Sequence, residues 1–328
     1  MPRLNAIRRR HVALLLAAFL WAPQAGLAQN YPNRPVHLII PFAPGGVADV
    51  IARPIADRLS RTLGQPVIVE SRAGATGTLG AAYVANSAPD GYTLLLGTTN
   101  EIAMSPTLYL SLPYDPRTAF APITSVAVFP NVLVVGKDTP FKTLADLIAA
   151  ARDKPDTLTF GSSGVGSTNH LSAELFKREA DIKVMHVPYR GGGPALIDVS
   201  GGHVTAMFAT LPSAVSLIQG GLVRALAVTG SHRSAILPDV PTMVEAGLPG
   251  VVVTTWNGVL APAGTPPELV ERLHKALAEA VAEPSLKETF AAVGAETELI
   301  TQQEFLDRIR ADFDRWSTMI KQAGISAQ

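Results

Sequence analysis

The sequence predicts an α/β fold in two domains, one inserted into the other. Three observations predict it. Strand-like and helix-like segments alternate from Tyr31 onward with short turns between them, the pattern of α/β units with mainly parallel sheets. Two long apolar crossings, Ile123–Val135 and Val251–Leu260, flank a central block. Glycine-rich turns open helices at two distant places, after Val36–Pro41 and after Thr159–Gly161.

The elements follow in order. Val36–Pro41 is a buried-type strand. Val47–Leu63 has helical spacing of Val50, Ile51, Ile55 and Leu59, ends at Gly64 and is bent by Pro54. Val67–Glu70 is a strand, Leu79–Asn86 a helix and Thr93–Gly97 a strand. Ile123–Val135 is a less regular crossing. The block then reads helix Leu144–Arg152, strand Thr159–Gly161, helix Asn169–Ala180 and strand Val184–Val187. Helix Ala195–Val199, strand Val204–Phe208, helix Ser213–Gln219 and strand Ala225–Thr229 complete it. The tail is helical, with capping boxes at Thr265-Pro266-Pro267-Glu268 and Thr301-Gln302-Gln303-Glu304. Domain 1 is therefore expected at 29–128 plus 254–328, and domain 2 at 129–253.

Composition narrows the function. The 328 residues are 47% hydrophobic and 16% charged, enough for a sizeable core. Lys+Arg and Asp+Glu balance at 27 each, so no general nucleic-acid surface is expected. Cysteine is absent, which excludes disulfides, thiolate metal sites and a cysteine nucleophile. Arg3, Arg8, Arg9 and Arg10 precede the apolar run Val12–Ala22, and Gly26-Leu27-Ala28 offers small residues for cleavage. Residues 1–28 are thus expected to be a signal peptide cut after Ala28, with the mature chain soluble and exported.

The glycine turns are the candidate site. A glycine turn leading into a helix aims several backbone N–H groups at one point, which favours an anion. Phe42, Ala43, Pro44, Gly45 and Gly46 form the first such turn. Ser162, Ser163, Ser167 and Thr168 line the second, where hydroxyls add donors for a carboxylate. Ala75 and Thr76, the strand-end pair Thr98 and Thr99, and Thr210 occupy comparable strand ends, where α/β sheets bind ligands. The second turn lacks a P-loop lysine, so it does not suit a nucleotide. Val165 stands where a nucleophile elbow needs its second glycine, which weakens a serine-esterase reading built on Ser163 and His170. His170 reads better as a first-turn or packing histidine, and Arg190 as a solvated turn residue. The seven histidines are scattered without metal-ligand spacing, so no metal, cofactor or catalytic residue is expected.

These residues resemble the receptors of tripartite tricarboxylate transporters, the Bug receptor family. The likeness runs through RPVHLIIPFAPGGVADVIAR, GQPVIVESRAGATGTLGA, DGYTLLLGT and SPTLYLSLPYDP. It continues through FGSSGVGSTNHLSAELFK, HVPYRGGGPALIDVSGGHV, LPDVPTMVEAGLPG and WNGVLAPAGTP. The resemblance implies a two-domain periplasmic binding protein of the type II-like, Venus-flytrap kind, with mixed sheets flanked by helices. It implies a monomer, without enzymatic activity, that closes on a small mono- or dicarboxylate and passes it to integral-membrane transporter subunits. A carboxylate sensor with a signalling partner would bind in the same way. It implies one carboxylate grip at Gly45 and Gly46, and a second at Ser162, Ser163, Ser167 and Thr168. Two departures stand out. A histidine-containing segment common in relatives is replaced by Asn100–Pro106, and a Phe-Asp-Asn segment by Phe208-Ala209-Thr210. The aspartate that recognises an amino group is therefore Ala209, which implies a ligand without an ammonium group.

Overall fold

One long strand organises the chain. A computed structural model describes residues 31–326, so the expected signal peptide and its cleavage point lie outside the described residues. The strands are β1 (Val36–Ile40), β2 (Val67–Ser71), β3 (Thr93–Thr98), β4 (Phe120–Gly136) and β5 (Thr159–Ser162). They continue as β6 (Met185–Pro188), β7 (Ala206–Thr210), β8 (Val223–Val228), β9 (Thr254–Pro262) and β10 (Glu296–Thr297). Their order is β2-β1-β3-β9-β4-β7-β5-β6, with β8 and β10 also pairing on β4. Residues 120–130 of β4 pair with β9, and residues 131–136 pair with β7 and β8. β4 thus carries the chain out of one sheet and into a second.

The sheets are mixed rather than mainly parallel. β1 pairs parallel with β2 and β3, as β5 does with β6 and β7. Every pairing of β4 and β9 is antiparallel. The cause lies in the crossings: they traverse the molecule in opposite directions, a fact that local periodicity does not carry. The first crossing is also a single 17-residue strand, not an irregular segment. Its register shifts between Pro122 and Thr124, Ser125 and Ala127, and Leu133 and Val134, as β-bulges allow without breaking the strand.

Helices cover both sheets. α1 (Val47–Leu63) buries Ala48, Ile51, Ala52, Ile55 and Leu59 against the first sheet. Pro54 lies inside this helix without ending it. An interior proline costs about 3 kcal/mol, and full burial of an Ile or Leu contributes about 2 kcal/mol, so three buried side chains outweigh it. Gly64 ends the helix at φ 70°, its N–H bonded to Ser60 O at 3.1 Å. The other helices are α2 (Thr78–Ala85), α3 (Ser105–Leu108), α4 (Leu144–Asp153), α5 (Thr168–Ala180) and α6 (Gly192–Ser200). α7 (Leu211–Gln219), α8 (Pro267–Ala282), α9 (Pro284–Ala291) and α10 (Gln302–Gln322) follow.

The two expected capping boxes part company. Thr301 and Glu304 form both reciprocal bonds at the start of α10. Thr265 forms none: α8 starts one residue later, capped at Pro266, and Thr265 Oγ1 donates to Pro262 O at 2.8 Å. A residue before proline is biased away from helical geometry, and Pro266 precedes Pro267.

Two elements reach from the first sheet into the second core. Asn100–Met104 is a π-helical turn that runs into α3, and Ala103, Met104 and Leu108 pack with Phe160, Phe176 and Phe208. On α10, Phe305 and Ile309 pack with Trp256, while Trp316 and Ile320 join the second core.

Candidate functional site

β1 delivers Phe42, Ala43, Pro44, Gly45 and Gly46 as a turn onto α1, exposed at Ala43, Pro44 and Gly45 and half-buried at Phe42 and Gly46. Gly45 sits at φ +79°, the left-handed region that glycine adopts freely. Its N–H donates to Asp49 Oδ2 at 3.1 Å, so the chain's own carboxylate takes one of the donors expected for a ligand. Burial raises the Asp49 carboxyl, but Arg53, ion-paired at 2.9 Å, and the Gly45 N–H outweigh it and hold it below its ordinary value. Asp49 therefore stays anionic and stabilises the start of α1.

The turn after β2 holds Ala75 at φ 45° and Thr76 at φ 52°. Two successive non-glycine residues in that region cost roughly 1 kcal/mol each or more. Tyr109 OH donates to Thr76 Oγ1 at 3.2 Å. This turn adjoins the first through Gly80 of α2, which lies against Pro41.

Thr98 and Thr99, at the end of β3, are buried. Thr98 donates both its N–H and its Oγ1 hydroxyl to the Glu101 carboxylate, the latter at 2.6 Å. Thr99 Oγ1 accepts the Trp256 N–H at 3.4 Å. Glu101 has no exposed surface, and its burial pushes the carboxyl up to about 7 despite the bonds from Thr98.

The folded chain thus binds this proton more tightly than the unfolded chain. The associated stability is complete below the ordinary carboxyl value near 4.5 and is lost as pH rises through about 7. The decline, roughly 3 kcal/mol by linkage, should vanish in Glu101→Gln. Urea unfolding of both proteins at about pH 5 and about pH 8 measures it. Identical pH slopes in the two would show that Glu101 carries no such penalty.

The second turn holds Ser162, Ser163, Ser167 and Thr168 between β5 and α5. Ser162 Oγ is fully committed: it accepts the Gly164 N–H at 3.1 Å and lies 2.7 Å from His186 Nε2. Ser163 Oγ donates to Asn169 Oδ1. Ser167 caps α5, accepting the His170 N–H at 3.3 Å and donating to Gly164 O at 2.8 Å. Thr168 N–H donates to Asn100 Oδ1 at 3.2 Å. Thr210 keeps to its own turn, paired with Ser213 Oγ at 2.9 Å.

Three of these segments come together. A Cβ built on Gly164 would lie 3.9 Å from Thr76 Oγ1, and one on Gly166 would strike Leu108 at 2.4 Å. With the Asn100–Thr168 bond, these contacts set the second turn directly against Thr76, Asn100 and α3. Asn169 Nδ2, Asn131 Oδ1, Thr255 Oγ1 and Asn257 Oδ1 are buried polar atoms without a partner. Asn131 reaches this region through Nδ2, which donates to Thr168 O at 3.3 Å and Ser172 Oγ at 2.9 Å.

Sequence reasoning singled out neither Glu101 nor His186 for the site. Glu101, an acid alone in an apolar stretch, was the available signal for one; His186 carried none. Arg190 is exposed, and Trp256 and Trp316 are buried core residues. Among the described residues, no three His, Cys, Asp or Glu side chains come together as a metal site. Nor is any described helix long and apolar enough to cross a membrane.

Comparison with known proteins agrees with this architecture. A family model described as the tripartite tricarboxylate transporter family receptor matches residues 51–325. R. palustris Rpa4515 with adipate superposes with a TM-score of 0.87 at 39% identity, covering 90% of this chain and 99% of that one. The periplasmic binding protein BugD gives 0.85 at 34% identity, covering 91% and 100%. MatC from Rhodopseudomonas palustris with bound malate gives 0.82 at 33% identity, covering 88% and 100%. The fold is that of a two-domain periplasmic binding protein, with mixed sheets flanked by helices.

Proposed function

This chain belongs to the tripartite tricarboxylate transporter receptor family, and from that premise we propose that it captures a small dicarboxylate between its two domains. The carrying observation is the apposition of the Gly161–Thr168 turn to Thr76 and Asn100. The N–H groups at the start of α1 and the Asn169 N–H of α5 are the anion donors, since a helix leaves its first N–H groups without an intrahelical partner; those of Thr168 and His170 are taken by Asn100 Oδ1 and Ser167 Oγ. The domains meet at 128/129 and 253/254, and β4 and β9 form the hinge between them. The receptor acts in the periplasm as a monomer and hands its ligand to integral-membrane transporter subunits.

No chemistry is performed on the ligand. Ser163 Oγ donates to an asparagine oxygen rather than to a base, and His170 Nδ1 already accepts the Gly166 N–H at 3.1 Å. The ligand carries no ammonium group. Ala209 is fully buried among apolar side chains and offers no carboxylate to receive one.

A thermal-shift and calorimetric series tests this, using adipate and malate against aspartate and glutamate. Ligand at a hundredfold excess over Kd stabilises by about 2.7 kcal/mol, a shift of several degrees. Adipate or malate should produce it and the amino acids should not. Tight, stereospecific aspartate or glutamate binding would sink the ammonium-free reading.

A further inference from the structure

The turn that opens α5 is held from behind by two imidazoles. His170 lies in the first turn of α5 and His186 on β6, and their rings stack with centroids 3.7 Å apart and planes 7° apart. His170 Nδ1 accepts the Gly166 N–H at 3.1 Å, so that nitrogen is bare and the ring proton is on Nε2. Nε2 faces Glu174 Oε1 at 3.6 Å. His186 Nε2 reaches Ser162 Oγ at 2.7 Å, and the same hydroxyl accepts the Gly164 N–H. One ring therefore holds the start of the turn and the other holds its end.

We propose that the stacked His170–His186 pair positions this turn for ligand only while both rings are neutral, so that acid releases the ligand. The proposal rests on the carboxylate-receptor reading above. A proton added to His170 must go to Nδ1, where it would meet the Gly166 N–H donor to donor. A proton on either ring also sets a cation against its neighbour at stacking distance. Burial, followed by the charge of His170, pushes His186 down to about 4. Its contribution to stability is complete above its ordinary value of 6.5 and is lost as pH falls toward about 4. The charged groups facing the pair are Glu174, which favours a cation, and Lys177, which is bonded to Glu174 at 2.8 Å and opposes one. The strands packed beside it, β4, β5 and β7, carry no titratable side chain.

Two measurements on the full chain test the pair separately from the function. The first needs no ligand: amide resonances of Gly164 and Gly166 are followed from about pH 8 to about pH 3.5 with the imidazole signals. They should move together in the wild type. In His170→Asn, whose Oδ1 replaces the bare nitrogen but takes no proton, the Gly166 amide should stay put. The second is calorimetry with adipate. Wild-type affinity should fall at least about threefold between about pH 7.5 and about pH 4. His170→Asn should bind with a flatter profile, and His170→Ala should bind weakly throughout. A Gly166 amide that ignores histidine titration, or a His170→Asn profile identical to wild type, overturns the proposal. If adipate binds at no pH, the receptor reading has failed for that ligand and the amide titration alone decides the pair.

Discussion

Gly80→Ala is expected to destabilise the folded chain by roughly 3 kcal/mol, at the high end for a single added methyl group. A Cβ at this position would lie 2.8 Å from Arg72 O, 2.8 Å from Pro41 Cα and 2.9 Å from Pro41 Cβ. Carbon atoms do not approach so closely, and these neighbours are backbone or proline ring, which cannot rotate away. Either α2 lifts off the sheet or the end of β1 moves. Pro41 leads into the Phe42–Gly46 turn and Arg72 into the Gly74–Thr78 turn, so both candidate turns shift together. Gly192→Ala is the control. It opens α6, and its would-be Cβ meets only Met207 Cε at 3.8 Å, an ordinary contact, so alanine should leave stability within about 0.5 kcal/mol. The urea unfolding midpoint should therefore fall in Gly80→Ala and stay near wild type in Gly192→Ala. A Gly80→Ala protein as stable as wild type would mean that this packing is much looser than the distances state.

The contrast between these glycines marks what could be read from the chain alone. Ile51, Ile55 and Leu59 announced α1, and Gly64 announced its end, because burial and a left-handed cap leave local traces. The anion-type turns were legible for the same reason: Gly45, Gly164 and Gly166 all stand at positive φ. The helical run Asn100–Leu108 left no such trace. Its order comes from Met104 and Leu108 packing among Phe160, Phe176 and Phe208, contacts between segments remote in sequence. Strand direction was hidden for a similar reason, since pairing depends on where the crossings lead.

The state of the donors was the least legible part of the site. Gly45 N–H belongs to Asp49, both Thr98 donors to Glu101, and Thr168 N–H to Asn100, 68 residues away. A glycine turn predicts that N–H groups converge; only the folded neighbourhood decides which of them are free. That distinction directs the sharpest test of the site to Gly46 rather than to Gly45.

Gly46→Asp should leave the fold intact and weaken dicarboxylate binding by at least about a hundredfold. Gly46 caps α1 at φ −84° and ψ −179°, an extended conformation open to any residue. Its would-be Cβ meets only Ala43 O, at 3.4 Å. Aspartate is among the preferred N-cap residues, so thermal stability should hold or rise by a few tenths of a kcal/mol, as expected for replacing a glycine cap. Binding is another matter. The new carboxylate would take the first-turn N–H groups for itself, beside an Asp49 that is already anionic. A ligand carboxylate about 4 Å away would meet a repulsion of roughly 4 kcal/mol at an effective dielectric near 20. Gly46→Asn separates charge from bulk: it offers the same shape without the charge and should lose about tenfold. Calorimetry with adipate, beside melting curves of all three proteins, reads both effects. Unchanged affinity in Gly46→Asp, in a protein where the wild type binds, would remove the Phe42–Gly46 turn from the site. A loss equal in Gly46→Asp and Gly46→Asn would instead assign the effect to bulk and leave the anion-donor role of α1 without support.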